Sequence, residues 1–270
     1  MAYSVLMSVY YKEKPEHLRQ SIESILNQTV PTDDFVLVCD GPLTAELEAV
    51  IADMQKKTGV LHVIQLDHNL GLGAALNRGL EHCAHDLIAR MDSDDISYPD
   101  RCQRQLALFE KDPTLSIVSG TVEEFSATPD TVESRRQVPQ NHDQILAFAK
   151  KRSPFNHPCV MYRKSAVEVA GGYQDLFLFE DYFLWVRMLM TGARGFNIQE
   201  PILWMRAGND LYKRRSGWNY ARAQKQLFDY MRTHGLITFA EYCSSVTIRS
   251  LSALAPNCLR RFAFRNLLRK

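Results

Sequence analysis

The sequence predicts an α/β protein with a mostly parallel central sheet, covered by helices on both faces and followed by a helical C-terminal extension. Three observations predict it. Short β-rich apolar runs alternate with amphipathic helical stretches from Tyr3 to Lys111, the pattern of strands joined by crossover helices. The runs are continuously apolar, as in strands buried on both faces. The 270 residues are 46% hydrophobic and 23% charged, the balance of an ordinary globular chain with one large domain or two small ones.

The elements follow in order. YSVLMSVY (3–10) is the first strand, and Leu18, Ile22, Ile25 and Leu26 share a helical face after it. FVLVC (35–39) is the second strand, and Thr44 stands where it can cap a helix carrying Leu47, Val50, Ile51 and Met54. VLHVIQL (60–66) is the third, followed by a helix with Leu72, Ala75, Leu76, Leu80 and Cys83 on one side. DLIARM (86–91) is the fourth, and Pro99 starts a helix running to about Lys111. Beyond it, SIVSG (116–120), HPCVMYR (157–163) and ILWMR (202–206) read as strands. Residues 126–142, rich in Ser, Thr, Pro and charge, read as an exposed loop, and Phe183 to Met190 and Trp218 to about His234 read as helices. Ligands of such sheets bind at the carboxyl ends of strands, beside a topological switch point. Two acids stand at such ends: Asp40 after FVLVC and Asp92 after LIARM.

The formal net charge is +1, but after Glu241 there is no acid and there are six basic residues, so by difference the body carries about −5. The six cysteines are scattered without a C-x-x-C, which fits reduced thiols of a cytoplasmic protein better than a zinc site or a disulfide scaffold. No apolar run is long enough to span a bilayer, and MAYSVLMSVYYKEKP lacks a basic leader and a cleavage site.

MDSDDISYPDR (91–101) brings Asp92, Asp94 and Asp95 together at the end of a buried run. Such carboxylates repel, and a hard divalent cation with oxygen ligands removes the repulsion. The plainer alternative is a solvated turn before a helix N-terminus. NLGLGAALNRG (69–79) contains G-x-G, but Leu76 occupies the third glycine's place, so a tight turn explains it better than a dinucleotide fingerprint, with Asn69 and Asn77 able to face a ligand. FLFEDYFLW (177–185) sets Glu180 and Asp181 among aromatics; they either open a helix or form a desolvated general base. For Trp204 and Trp218 core packing is the plainer expectation, for His82 and His85 a surface position, and for His157 a half-buried place at a strand start.

Taken in order, SVLMSVYYKE, SILNQT, FVLVCDGP, NLGLGAALNRG, ARMDSDDISYPDR, FNHPCVMYRK, GGY and EDYFLWVRM, spread over residues 3–206, resemble the family 2 nucleotide-sugar glycosyltransferases of GT-A fold, and among them the bacterial exopolysaccharide and O-antigen transferases of the amylovoran type. The resemblance implies a nucleotide-sugar-binding half (1–120), an acceptor-binding half of the same domain (121–235) and a basic helical tail (236–270). It implies an inverting transfer of a hexose, galactose or glucose, from a UDP-sugar to an undecaprenyl-diphosphate-linked sugar, with Mn²⁺ or Mg²⁺. By position, Ser8, Tyr10, Asp40, Asn69, Arg78, Asp92 and Ser93 would hold the donor. Asp94 and Asp92 would hold the metal, and Asp181 would be the catalytic base. His157, Glu180, Arg206, Arg214 and Trp218 would lie near the diphosphate or the acceptor. Three departures touch the base pocket: A-L-N-R-G replaces the common A-R-N-x-G, Asp40 is the single acid ending strand two, and Tyr11 stands where an asparagine is common.

LRRFAFRNLLRK (259–270) mixes arginines with Phe and Leu, which suits peripheral attachment to the anionic inner face of the cytoplasmic membrane. A solvated or packed terminus is the alternative. Nucleic acid is not expected as a partner, because the body is acidic and carries no basic stripe. A metal-dependent sugar-phosphate nucleotidyltransferase and a non-catalytic nucleotide-binding module are the other readings. The first lacks the Gly-rich, Lys/Arg-bearing first loop such an enzyme needs.

Overall fold

No hairpin turn separates the four N-terminal apolar runs. Each is followed by a helix that must cross back over the sheet, so the strands pair in parallel. A computed structural model describes residues 1–207 and 217–254. Its strands are β1 (Ser4–Val9), β2 (Asp34–Cys39), β3 (Leu61–Gln65), β4 (Leu87–Asp92), β5 (Ile96–Ser97), β6 (Leu115–Phe125), β7 (Val132–Arg136), β8 (Met161–Arg163) and β9 (Arg194–Arg206). The helices are α1 (Pro15–Leu26), α2 (Ala45–Lys57), α3 (Leu72–His82), α4 (Arg101–Lys111), α5 (His142–Ala149), α6 (Lys164–Val169), α7 (Glu180–Met190), α8 (Trp218–Thr233) and α9 (Phe239–Leu254).

All the strands join one sheet in the order β3-β2-β1-β4-β8-β6-β9-β5, with β7 on β6. The chain runs outward from β1 through β2 to β3, then returns to place β4 on the other side of β1. The switch point therefore lies between β1 and β4. Beyond β4 the sheet is mixed: β8 pairs antiparallel with β4 and β6, β6 pairs parallel with β9, and β5 and β7 pair antiparallel with β9 and β6. Residues 120 and 121 lie inside β6, so the strands before and after this point belong to one sheet.

Three expectations are corrected here. The stretch 126–142 contains β7 and ends at α5, whose capping box joins Asn141 to Gln144. HPCVMYR opens with a 3-10 turn at His157–Cys159, leaving only Met161–Arg163 as strand. Pro158 has no N–H to give a ladder, and the Asn156 side chain instead donates to Gly120 O (2.8 Å) and Arg136 O (3.0 Å). Helix α7 begins at Glu180, ahead of the expected Phe183.

One face of the sheet packs on α1, α2 and α4 through Leu18, Ile22, Leu47, Met54, Leu106 and Phe109. The other packs on α3, α5, α6 and α7 through Ala75, Leu76, Ile145, Val167, Leu184 and Trp185. A third cluster joins the outer side of α7 to α8 and α9. Cys39, Cys83, Cys102 and Cys159 are buried and unpaired, and Cys243 is exposed. No described helix is long and apolar enough to cross a membrane. Residues 255–270, with the basic stretch 259–270, lie outside the described residues.

Helix α3 approaches the sheet at Gly79, where a Cβ would collide with Leu6 and Val38. Gly79→Ala gains helix propensity but overpacks this contact, at a cost of about 1–3 kcal/mol. The variant is expected to melt several degrees below the parent by differential scanning calorimetry; an unchanged or higher Tm would refute the close-approach account.

Candidate functional site

The switch point delivers polar residues to one place. Ser8 lies opposite Asp92 across the β1–β4 pair, and Asp40 N donates to Val9 O (2.8 Å) just beyond the β1–β2 pair. The carboxyl ends of β1, β2 and β4 thus stand side by side. Tyr10 follows β1, 40% exposed, with its ring edge-on to Tyr11.

After β4 the chain turns through Ser93–Asp95 into β5. The turn is pinned from several sides. Ser21 Oγ donates to Asp92 O (2.7 Å), and Ser93 Oγ donates to Glu13 Oε2 (3.0 Å). Arg206 donates its backbone N–H to Asp95 Oδ1 (2.8 Å), Nε to Asp94 O (3.1 Å) and Nη2 to Gln20 Oε1 (2.9 Å). Arg206, from the end of β9, is thereby fixed at the acidic turn. Oxygens of Asp92, Asp94 and Asp95 lie within 4.8 Å of one another. Asp95 is buried and committed to Arg206, so Asp92 and Asp94 are the members turned outward.

Burial, then the charges of Asp92 and Glu13, push Asp94 up to about 7. Burial, then Asp94 and Asp92, push Asp95 well above the carboxylate range. Four carboxylates (Glu13, Asp92, Asp94, Asp95) gather at this turn, and the Arg90 guanidinium pairs with Asp92, whereas Arg206 gives Asp95 its backbone N–H. A proton on Asp94 partly relieves the repulsion, and a hard cation bound through oxygen would relieve it further. The donor set therefore fits Mg²⁺ or Mn²⁺, with Asp94 and Asp92 able to hold it.

Glu180 and Asp181 open α7 after Phe179, which follows Leu178, whose φ of 61° is the left-handed conformation. Helix α3 meets them: a Cβ on Gly73 would stand 3.3 Å from Tyr173 Cβ and 3.7 Å from Glu180 Cβ. Burial, then Asp181 and Asp175, raise Glu180 above its ordinary range. Tyr173 links the two acidic groups. Burial raises its phenol first, and the charges of Asp181 and Asp92 add to that. His157 Nε2 lies 2.9 Å from Tyr173 Oη. Burial and the Arg90 cation depress His157 well below its usual range, which keeps its imidazole neutral at pH 7.

Other residues sit differently. Both Asp40 oxygens accept backbone N–H groups, from Leu70 (2.7 Å) and Gly71 (3.1 Å), and Asn69 Nδ2 donates to Asp40 O (3.1 Å). In this arrangement Asp40 and Asn69 organise the loop leading to α3. Asn77 pairs reciprocally with the backbone of Tyr173 (2.7 and 2.8 Å). Arg78 is exposed on α3 and pairs with Glu81 (3.4 Å). Trp218, expected to pack, is 78% exposed at the start of α8, while Trp204 stacks on Tyr98 with centroids 3.7 Å apart. Arg214 lies outside the described residues. Glu13 is a site residue that sequence reasoning missed. It sits in a loop with no periodic pattern, and its one signal was its place in the YYKE stretch.

The model of the family described as glycosyl transferase family 2 matches residues 4–171. The chain is 38% identical over 262 residues to an amylovoran biosynthesis glycosyltransferase of Erwinia amylovora, covering 97% of each chain. It is 36% identical over 269 residues to a UDP-Gal:alpha-D-GlcNAc-diphosphoundecaprenol beta-1,3-galactosyltransferase of Escherichia coli, covering 99% of this chain and 97% of that one. Among solved structures, a mannosyltransferase of Pyrobaculum calidifontis in complex with GDP-Man and Mn²⁺ superposes with a TM-score of 0.68 at 16% identity, over 98% of this chain and 75% of that one.

Asp40→Asn leaves a single side-chain acceptor for the Leu70 and Gly71 amides. An unmet amide here costs about 1–3 kcal/mol, so the urea midpoint is expected to fall. A midpoint equal to the parent's would mean that the carboxylate does not hold this loop.

Proposed function

The chain belongs to glycosyl transferase family 2, and from that premise we propose that it moves a hexose, galactose or glucose, from a UDP-sugar to a sugar on undecaprenyl diphosphate, with inversion, during assembly of a surface polysaccharide. The observation that carries this reading is the meeting of Asp92 and Asp94 at the β1–β4 switch point, with Asp181 of α7 within electrostatic reach of the same Tyr173 as Asp92. The relatives' names support the substrate classes.

In this mechanism Ser8, Tyr10 and Ser93 border the nucleotide, and Glu13 and Arg206 fix the floor beneath the diphosphate. Asp94 and Asp92 would hold the divalent cation, which would supply positive charge against the diphosphate as it departs from the sugar. Asp181 accepts the proton of the acceptor hydroxyl as that oxygen forms its bond to the anomeric carbon. The bond from that carbon to the UDP oxygen breaks on the opposite face. One base and one displacement suffice, and inversion follows. Glu180, held toward its protonated form by burial, is suited to hydrogen-bond the acceptor. The protein works on the cytoplasmic side, where the donor is made, peripheral to the membrane that carries the acceptor.

The test is a donor screen with Mn²⁺ on a synthetic lipid-diphosphate GlcNAc acceptor, with linkage analysis of the product; no transfer from any UDP-hexose would reject the proposal. In that assay Asp181→Asn is expected to lower kcat by about 10²–10⁴-fold, the worth of a general base, with UDP-sugar binding kept. Equal loss of binding and rate would contradict the base role. Asp94→Asn is expected to weaken donor binding chiefly when metal is present; activity that survives a chelator would contradict the metal role. Removal of residues 259–270 is expected to abolish flotation with anionic liposomes, and unaltered flotation would place the membrane contact elsewhere.

A further inference from the structure

Three arginines are buried among the described residues: Arg90 (1% exposed), Arg101 (0%) and Arg187 (4%). Two of them staple the backbone. Arg101 donates Nη2 to Arg90 O (2.6 Å) and Val160 O (3.2 Å) and Nε to Gln105 Oε1 (3.1 Å). Arg187 donates to Ala170 O and to Gly172 O (2.7 Å), closing the turn before Tyr173, and lies 4.5 Å from the Phe183 ring centroid. Arg90 closes no turn. Its guanidinium reaches one protein group, the Asp92 carboxylate, through Nη2, while Nε and Nη1 have no protein partner.

A guanidinium buried with so few partners is costly to desolvate, and for the fold alone an apolar pair in place of Arg90 and Asp92 would commonly do as well or better. Arg90 is therefore not explained by the fold. Strand periodicity explains its reach: residues 90 and 92 of β4 point to the same face of the sheet. Asp92 is one-third exposed, whereas the Arg90 that bonds it is buried. One carboxylate oxygen, Oδ1, is thus tied to a buried cation, and Oδ2 is not part of that bond.

We propose that Arg90 is the positioning residue of the acidic turn, holding Asp92 so that a single oxygen of fixed direction is presented to the nucleoside diphosphate and its cation. This rests on the function proposed above. Two effects of Arg90 oppose each other: its charge repels a nearby cation, and its hydrogen bond orients a ligand of that cation. Orientation is the effect the geometry favours, because the Asp92 carboxylate is the protein group this guanidinium hydrogen-bonds, while its Nε and Nη1 have no hydrogen-bond partner.

The test is calorimetric titration of UDP into the parent, Arg90→Lys and Arg90→Met, with Mn²⁺ and with EDTA, beside a thermal melt of each. Arg90→Lys keeps the charge and loses the planar fork; Arg90→Met loses both at similar length. Arg90→Met leaves the Asp92 carboxylate without its cation and is expected to melt below the parent temperature while staying folded at the assay temperature. Both variants are expected to bind UDP with Mn²⁺ at least about tenfold more weakly, the usual effect of losing a residue that orients a metal ligand. Unchanged or tighter binding by Arg90→Met would overturn the proposal and leave Arg90 as a repelling charge. Weaker binding that merely follows unfolding of both variants at the assay temperature would overturn it in favour of a structural role. Should the parent bind UDP equally well in EDTA, the metal assignment fails on its own. The Arg90 proposal then stands if the tenfold weakening persists in EDTA and falls if it does not.

Discussion

The carboxylates at the end of β4 are closer together than bare charges tolerate, and much of the fold serves to keep them there. Two unit charges about 4 Å apart repel by roughly 4 kcal/mol at an effective dielectric of 20. The switch point puts Asp92 at the seam of β1 and β4. Ser21, Ser93, Glu13 and Arg206 hold the following turn from α1, the first loop and the last strand. Burial, with the neighbouring charges, shows in Asp94, whose carboxyl is raised to about 7. A site built this way has its repulsion in place before any ligand arrives, and a cation or a cationic group on the ligand gains what the turn has stored.

The first four strand–helix units were legible because each rule acted locally. Buried parallel strands leave continuous apolar runs, and the helices between them show one apolar face. The later part was less legible because long-range pairing shapes it. Strands β6 and β9 extend well past SIVSG and ILWMR because they pair with each other, a partnership across about 80 residues that no local pattern announces. Strand β7 exists because β6 offers it an edge. The 3-10 turn at His157 depends on Asn156 bonding two carbonyls remote in sequence.

The site divided in the same way. The D-S-D-D turn and the Glu180–Asp181 pair were visible because acids crowded beside apolar runs are unusual in composition. Glu13 was not, since a carboxylate in an irregular loop carries no pattern until the fold sets it against Ser93. Asp40 was visible as a strand-end acid, yet its two oxygens are used by the loop before α3. Position at a strand end identifies a neighbourhood, and the hydrogen bonds identify the task. The buried Arg90 shows the converse: a residue that looks like part of strand β4 becomes intelligible only beside Arg101 and Arg187, whose donors close the backbone while its own meet Asp92.

The central claim is that one cleft at the β1–β4 switch point receives both a nucleoside diphosphate and a divalent cation. Anomalous diffraction from a crystal of the protein grown with UDP and Mn²⁺ tests it most directly. The account predicts one manganese peak in contact with Asp94, with the UDP phosphates beside it and the base toward Tyr10. A peak at any other group of residues, or UDP bound away from the ends of β1 and β4, would contradict it.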